Sequence, residues 1–324
     1  MFDKLIYEHV TDQYGRKCGY LGQMFFDGVL PISAIAAIGY LMGRNSIFDA
    51  AAAAVINKFI FLIAIPALNF KMIANAPIND FDWQLLTGFF ISELSLYLIS
   101  FLVVRKIMRR ETKEAILIGL AVSMGNHILF VLPIAVALFG EQATQQIIGI
   151  IALDTIILFG GTIVIMEGLS SSTFSFAVLT KRILRNPTLL ALFFGIPFGL
   201  MSVDIPHGLN VFLRFTSNLA APCALFSLGI VLSQIKISNY IRLSTSMSVL
   251  KLVGHPLIAW VVLSGLFGFD LTGSKMAMMV AAAPCGAMGF VLALNYGVRT
   301  DVIAPTILFT TIGSLASVTI AASI

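Results

Sequence analysis

The feature that most constrains the fold of this 324-residue chain is a series of apolar runs that recur from near residue 25 to the end. Each run is about twenty residues long, enough for a helix to cross the ~30 Å hydrocarbon core of a bilayer. Hydrophobic residues make up 58% of the chain and charged residues only 11%, which excludes a soluble globular domain. The chain is therefore predicted to be an all-α membrane protein embedded in a lipid bilayer.

Clusters of charged residues divide these runs into ten predicted transmembrane helices. If the first loop is cytoplasmic and basic residues near the end of a span are counted with the adjoining side, twelve of the twenty basic residues lie inside, six lie outside and two lie in the interior of spans. Because cytoplasmic loops carry the excess of lysine and arginine, both termini are predicted to lie outside the cytoplasm, in a multi-pass protein of the cell membrane. The same rule explains the net charge of +4 without nucleic acid as a partner. The predicted spans are 25–43, 50–75, 84–108, 114–139, 143–166, 187–203, 209–233, 244–268, 273–296 and 301–324.

Two pairs of stretches, each five spans apart, resemble each other in sequence. "IPALNF" (65–70) in the second span resembles "APCALF" (221–226) in the seventh, and "ILFVLPIAVALFG" (128–140) in the fourth resembles "GAMGFVLALNYG" (286–297) in the ninth. A repeat of five spans must place its second copy upside down in the membrane, which is an architecture typical of secondary transporters. The predicted units are an amino-terminal tail at 1–24, a first repeat at 25–166, a short cytoplasmic linker at 167–186 and a second repeat at 187–324.

The fourth span contains groups that are costly in lipid. In "SMGNHILFVLPIAVALFG" (123–140), an amide, an imidazole and a helix breaker occur at Asn126, His127 and Pro133. Backbone groups freed by a break must face protein or a water-filled cavity, and half-helix amino termini directed at one point suit an anion. A simple proline kink is the alternative, but the matched Pro284 in the ninth span favours a pair of broken helices around a site.

At these residues the chain resembles the auxin efflux carrier family, whose bacterial members include malonate and malate permeases. The family pattern in the fourth span is roughly G-N-x-x-x-x-G-x-P followed by an apolar run and F-G. Val131 replaces the second glycine of this pattern, and His127 is unusual beside the asparagine. The resemblance covers about 25–324. It is carried by Gly125, Asn126, Pro133, Phe139 and Gly140, and by "KLVGHPLIAW" (251–260), "AAAPCGAMGFVLALNYG" (281–297) and "APTILFTTIGSLASVTI" (304–320).

The resemblance implies ten helices in two inverted five-helix repeats, with broken helices 4 and 9 crossing at Pro133 and Pro284, as in sodium/proton antiporter-like and bile-acid-symporter-like folds. It implies a secondary active transporter of a small organic anion, such as a mono- or dicarboxylate, that works by an elevator-like alternating-access mechanism. The short linker favours the bacterial branch over the auxin carriers, which have a long central loop. The residues that this reading assigns to substrate binding are Asn126, His127, Pro133, Asp154, Pro284, Cys285 and Asn69.

Three ionisable residues within predicted spans are candidates for coupling transport to an ion. Asp154 is the only carboxylate in the middle of the fifth span, a depth at which carboxylates are rare and usually functional. For Glu93, a coupling role and a structural hydrogen bond are equally weighted. Lys251 is a further candidate, although snorkelling toward the interface is favoured for it and for Lys58. Proton-coupled or potential-driven transport is favoured over sodium coupling because acidic and amide groups are expected to be sparse around the crossing.

Other classes of protein fit the sequence less well. Motifs for an intramembrane zinc or serine enzyme and for a phosphate loop are absent from the sequence, and Asp154 has no second mid-span aspartate, so an enzyme is not expected. Three cysteines give no ligand spacing, and neither a metal nor a cofactor is expected. The alternatives are a sodium-coupled organic-anion symporter of the bile-acid type and a non-transporting membrane sensor domain. The substrate, the coupling ion, a homodimer and the form of the tail, a surface helix or a solvated segment, are left open.

Overall fold

The computed structural model describes residues 30–76, 78–140, 144–170, 180–181, 184–234 and 240–323, so the predicted tail at 1–24 lies outside the described residues. Helices joined by short loops make up these parts, as the composition predicts. In chain order they are α1 (Leu30–Arg44), α2 (Ala50–Ala74), α3 (Trp83–Ile107), α4 (Thr112–Ser123), α5 (His127–Val131 and Leu132–Phe139), α6 (Thr144–Leu153, Asp154–Phe159 and Gly160–Leu169), α7 (Pro187–Met201), α8 (His207–Ser217), α9 (Ala220–Gln234), α10 (Ile241–Leu266), α11 (Lys275–Ala281), α12 (Met288–Asn295) and α13 (Ile303–Ser323).

Six helices in the described part are long and apolar enough to cross a membrane. They are α2, α3, α6, the α8–α9 pair, α10 and α13. Helix α7 and most of α1 are apolar but shorter, and α4–α5 and α11–α12 are interrupted pairs. The prediction of an all-helical protein with several spanning helices is confirmed. The count of ten spans and the inverted repeat stay predictions.

Three helices carry a π-helical turn that ends two residues before a proline. A proline inside an α-helix removes one backbone hydrogen bond and crowds the carbonyl four residues earlier, and a π-turn changes the local spacing so that the helix continues. The turns are Ile60–Ala64 before Pro66, His127–Val131 before Pro133 and Leu250–Gly254 before Pro256.

The fourth predicted span does not break at Pro133, so the crossing predicted there is misplaced by about two turns. Pro133 lies in the first turn of Leu132–Phe139, where a missing N–H costs little after the π-turn. The chain leaves helical geometry earlier, at 124–126. The break near Pro284 lies where the sequence predicts it.

The helices form two bundles. The first bundle contains α1, α2, α7, α8 and α9, and the second contains α3–α6 and α10–α13. Within the first bundle, α1 and α9 touch backbone to backbone: a Cβ on Gly39 would lie 2.2 Å from the Phe226 carbonyl oxygen, and one on Gly229 would lie 2.0 Å from that of Ala36. Such an approach is possible only with glycine, so this pair forms a tightly packed wall. Contacts of α12 with α2, and of α13 with α9, join the two bundles.

The two interrupted helix pairs of the second bundle cross at their interruptions. Gly125 and Cys285 face each other there as an isolated antiparallel bridge. The backbone N–H of Asn126 donates to the carbonyl oxygen of Pro284 (2.8 Å), and the backbone N–H of Gly286 donates to that of Met124 (2.9 Å). A Cβ on Gly286 would lie 3.0 Å from the Gly125 oxygen, so the backbones meet closely. The four half-helices are thereby tied together through the main chain.

Candidate functional site

A cavity of about 370 Å³ lies between the two bundles, beside the crossing. This volume is near the lower end of the roughly 300–1,000 Å³ typical of small-molecule sites. The first bundle lines it with α2 and the junction of α8 and α9, and the second with the crossing and α6. Most lining side chains are apolar. The polar ones are Asn69, Asn126, His127, Thr155, Ser217 and Asn218.

The amino termini of two half-helices border this cavity. Helix α5 begins at His127 and α12 at Met288, and both residues line the cavity. Neither of the residues that precede these helices, Asn126 and Ala287, makes a side-chain capping hydrogen bond. The first N–H groups of a helix lack partners within the helix and carry the positive end of its dipole. Two such ends at one cavity make it suitable for an anion.

Asn69 adds an unpaired donor to the same cavity. Its side chain is 5% exposed, and its Nδ2 has no hydrogen-bond partner. A buried amide without a partner costs roughly 1–3 kcal/mol, which a bound acceptor would recover. Among the described lining residues, His127 is the one ionisable group, so the cavity offers donors without a fixed negative charge.

The structure brings three of the predicted binding residues together at the cavity: Asn69, Asn126 and His127. Pro284 and Cys285 belong instead to the backbone of the crossing, where the Cys285 N–H donates to the Thr310 hydroxyl (3.1 Å). The side chain of Pro133 lies outside the described residues. Asp154 is buried behind the cavity wall rather than in it. The polar lining residues that sequence reasoning missed are Thr155, Ser217 and Asn218.

A cluster of buried ionisable groups lies behind His127. Its Nδ1 is 3.0 Å from Oδ2 of Asp154, and the ligand atoms of Glu93, His127 and Asp154 all lie within 4.8 Å of one another. Glu93 is 0% exposed, and neither of its carboxyl oxygens has a hydrogen-bond partner. The expectation that acidic groups are sparse around the crossing is therefore wrong, because packing of α3 against α6 brings Glu93 to Asp154.

Lys251 points into the protein and does not snorkel. It is 0% exposed, and its Nζ donates to the carbonyl oxygen of Ser123, the last residue of α4, at 3.0 Å. The same Nζ lies 3.0 Å from Nδ1 of His255. A cation at the carboxyl end of a half-helix complements its dipole. Snorkelling is thus the wrong prediction for Lys251, whereas Lys58 is exposed.

The tautomer of His127 bears on whether the cluster could hold a metal. Its Nε2 accepts the backbone N–H of Gly125 (3.1 Å), so the neutral ring carries its proton on Nδ1, facing Asp154. A nitrogen that bears a proton has no lone pair for a metal ion. Only the two carboxylates are then left as ligands, an arrangement that suits a shared proton better than an imidazole-bound metal.

The fold is that of a multi-pass helical membrane protein with an internal cavity, and comparison with known proteins gives its class and family. The family described as membrane transport protein matches residues 24–322. The chain therefore belongs to this family, the auxin efflux carrier family, as its resemblance in sequence predicts. It is a multi-pass membrane protein of the transporter class, and these comparisons point away from an enzyme.

Three known proteins illustrate the relationship. A protein named "Putative malonate transporter" from Rhizobium meliloti (strain 1021) is 28% identical over 299 residues, which cover 90% of this chain and 92% of the relative. An "Uncharacterized transporter" from Methanothermobacter thermautotrophicus is 24% identical over 294 residues, which cover 89% and 94%. The structure of a sodium proton antiporter from Methanocaldococcus jannaschii at pH 8 superimposes with a TM-score of 0.60 at 17% identity, covering 96% of this chain and 97% of that one. The last likeness concerns the fold alone.

Proposed function

We propose that this protein is a secondary active transporter of a small organic anion, of the malonate type, across the cell membrane. One observation carries the proposal: two uncapped half-helix amino termini meet at a cavity between two bundles. The name of the relative from Rhizobium meliloti supports a short dicarboxylate as the substrate.

The anion binds with its carboxylates toward the starts of α5 and α12. The backbone N–H groups there and the side chains of Asn126 and Asn69 supply the hydrogen bonds. Hydrogen bonds to a charged group contribute about 1.5–3 kcal/mol each, so a few of them offset the cost of removing a small anion from water. A dicarboxylate uses both helix ends, whereas a monocarboxylate leaves one of them empty.

The arrangement of the bundles supports an alternating-access mechanism. The cavity contacts the last turns of α2, whereas Asn57, in the opposite half of α2, donates to the Val291 oxygen across the bundle boundary (3.0 Å). The cavity thus lies beside one half of α2, and the two bundles are hydrogen-bonded together at the other half. We assign an elevator-like movement in which the second bundle carries the crossing past the first.

The two-repeat architecture is part of this proposal. Glu93 is the eleventh residue of α3, and Lys251 is the eleventh residue of α10. These helices are five predicted spans apart, and both side chains lie near the crossing: Lys251 donates to the Ser123 oxygen, and Glu93 lies within 4.8 Å of His127. Matched positions of this kind support two inverted five-helix units of ten spans in all.

The orientation of the spans is tested by labelling. The charge distribution places residues 105–113 and 181–185 in the cytoplasm and both termini outside. Single cysteines in these two loops, in a cysteine-free protein, should resist an impermeant thiol reagent in intact cells. Ready labelling of both loops contradicts the orientation, and labelling of only one contradicts the span count.

Transport is coupled to a proton through Asp154. Asp154 lies behind the cavity wall, and its charge when ionised repels a substrate anion in the cavity, so anion binding favours a proton on Asp154. Asp154→Asn should bind the anion with weaker pH dependence and lose proton-driven accumulation. Parallel affinity curves for parent and variant between pH 5 and 8 would remove Asp154 from coupling, with Glu93 as the next candidate.

The proposed function is tested with purified protein. Thermal-shift measurements with malonate, malate, succinate, auxin and sodium should single out small dicarboxylates, and liposomes containing the protein should exchange labelled malonate. Sodium-dependent uptake would favour the bile-acid-type symporter. Binding without exchange would favour a membrane sensor. The proposal is contradicted if none of these anions binds to the protein and none is exchanged across the liposome membrane.

A further inference from the structure

His127 lies between the cavity and the buried carboxylates. It lines the cavity, whereas Glu93 and Asp154 do not. On its crossing side, Nε2 accepts the N–H of Gly125, and on its buried side Nδ1 lies 3.0 Å from Asp154. Among the described residues, it is the one ionisable side chain that reaches both the cavity and the carboxylate pair. The imidazole therefore separates a space that water can enter from a pair of acids that water does not reach.

The charges around His127 do not cancel unless the cluster holds one proton. The groups that face the cluster are Glu93 from α3, Asp154 from α6, Lys251 and His255 from α10, and the Cys285 thiol from the crossing. With Lys251 charged and both histidines and the thiol neutral, two ionised carboxylates leave one net negative charge. Burial of an uncompensated charge costs several kcal/mol, and one proton shared by the carboxylates removes it.

We propose that His127 relays one proton between the cavity and the Glu93–Asp154 pair. The inference rests on the proton coupling of the proposed function and assigns the route that the proton takes. Transfer toward the pair begins when Nε2 breaks its hydrogen bond with the Gly125 N–H and takes a proton from hydronium in the cavity, which leaves water. Nδ1 then gives its own proton to a carboxylate oxygen of Asp154, so the Nδ1–H bond breaks as an O–H bond forms, and the ring is left neutral with its proton on Nε2. The reverse transfer resets the ring: Nδ1 takes the proton back from Asp154, and Nε2 releases its proton to water in the cavity.

The relay is tested with His127→Gln in liposomes that contain a pH-sensitive dye. A glutamine amide can accept from Gly125 and donate toward Asp154, but it cannot take up and pass on a proton at neutral pH. The exposed His207, at the start of α8, supplies the matched control His207→Gln. We expect the ratio of protons moved to malonate exchanged, which does not depend on the exchange rate itself, to fall at least about tenfold in His127→Gln, within the range for loss of a positioned proton-transfer group. His207→Gln should match the parent in this ratio.

The outcomes separate the relay from the proposed function. Parent-like proton movement in His127→Gln overturns the relay and leaves the transporter in place. Malonate exchange by the parent without proton movement overturns both the relay and proton coupling, but not anion transport. Absence of malonate exchange in the parent contradicts the proposed function on which the relay rests.

A measurement on the parent protein covers the case in which His127→Gln does not fold. ¹⁵N NMR of the labelled imidazole reports which ring nitrogen carries the proton, and the assignment comes from protein that lacks the other histidines. The relay requires the Nδ1–H tautomer in the unliganded protein at alkaline pH. The Nε2–H tautomer would overturn the proposal.

Discussion

Replacing Lys251 with methionine should destabilise the protein strongly, although the two side chains are similar in length. The substitution removes the hydrogen bond from Nζ to the Ser123 oxygen and the positive charge that acts on Glu93 and Asp154. Because Lys251 is 0% exposed, water cannot replace either interaction. Loss of one partner from a buried charge pair costs about 3–5 kcal/mol, and we expect Lys251→Met to lower the free energy of unfolding by that amount.

A double-mutant cycle tests the cause of this loss. Glu93→Gln removes a negative charge that Lys251 compensates, so the double variant should recover about 1–3 kcal/mol relative to the sum of the single changes. The free energies are measured by chemical unfolding in detergent at neutral pH. Lys58→Met, at an exposed lysine of α2, is the control and should stay within about 0.5 kcal/mol of the parent. The reasoning is refuted if Lys251→Met costs no more than this control, or if the two changes in the cycle are additive.

Three further predictions concern the cavity, the first bundle and the boundary between bundles. Asn126→Ala should fold normally and bind malonate about 1–3 kcal/mol more weakly in titration calorimetry; unchanged affinity would remove Asn126 from the site. Gly229→Val, whose Cβ would lie 2.0 Å from a backbone oxygen of α1, should lose at least about 1–3 kcal/mol in thermal unfolding, whereas Gly161→Val, at a position with open space, should not. Equal losses would show that the contact of α1 with α9 is not what requires glycine. Asn57→Ala removes the bond to Val291, so distances between spin labels on α2 and α12 should broaden; an unchanged distribution would show that this bond does not hold the bundles.

The interrupted helices could be predicted from the sequence, because a polar residue or a proline within an apolar run is costly in lipid and is seen in the sequence directly. An amide and a proline inside an apolar run demand a structural reason, and Asn126 and Pro284 both lie at the crossing. The exact break in the fourth span is harder to predict, since a proline and a π-turn together preserve a helix that the proline alone would interrupt. Pro133 misleads for this reason.

The buried cluster could be predicted only in part. The depth of Asp154 and Glu93 within apolar spans marks both as unusual, but their proximity depends on how α3 packs against α6. The direction of Lys251 depends on which face of α10 meets the rest of the second bundle, and the length of a lysine allows either outcome. Asn218 is different: it is a polar residue within an apolar span, and the criterion that identifies Asn69 would also have found it.

The bridge at the crossing affects which substitutions this protein can accept during evolution. The bonds between Asn126 and Pro284, and between Gly286 and Met124, join main-chain atoms, so they do not depend on the side chains of Asn126 and Met124, although Gly286 must stay without a Cβ. A substitution that faces the cavity can therefore alter the preferred ligand without dismantling the frame that presents it. Asn69 and Asn218, on the opposite wall, take no part in the bridge, so changing them leaves these bonds intact. A library randomised at those two positions should consist largely of folded proteins and should contain carriers with new ligand preferences.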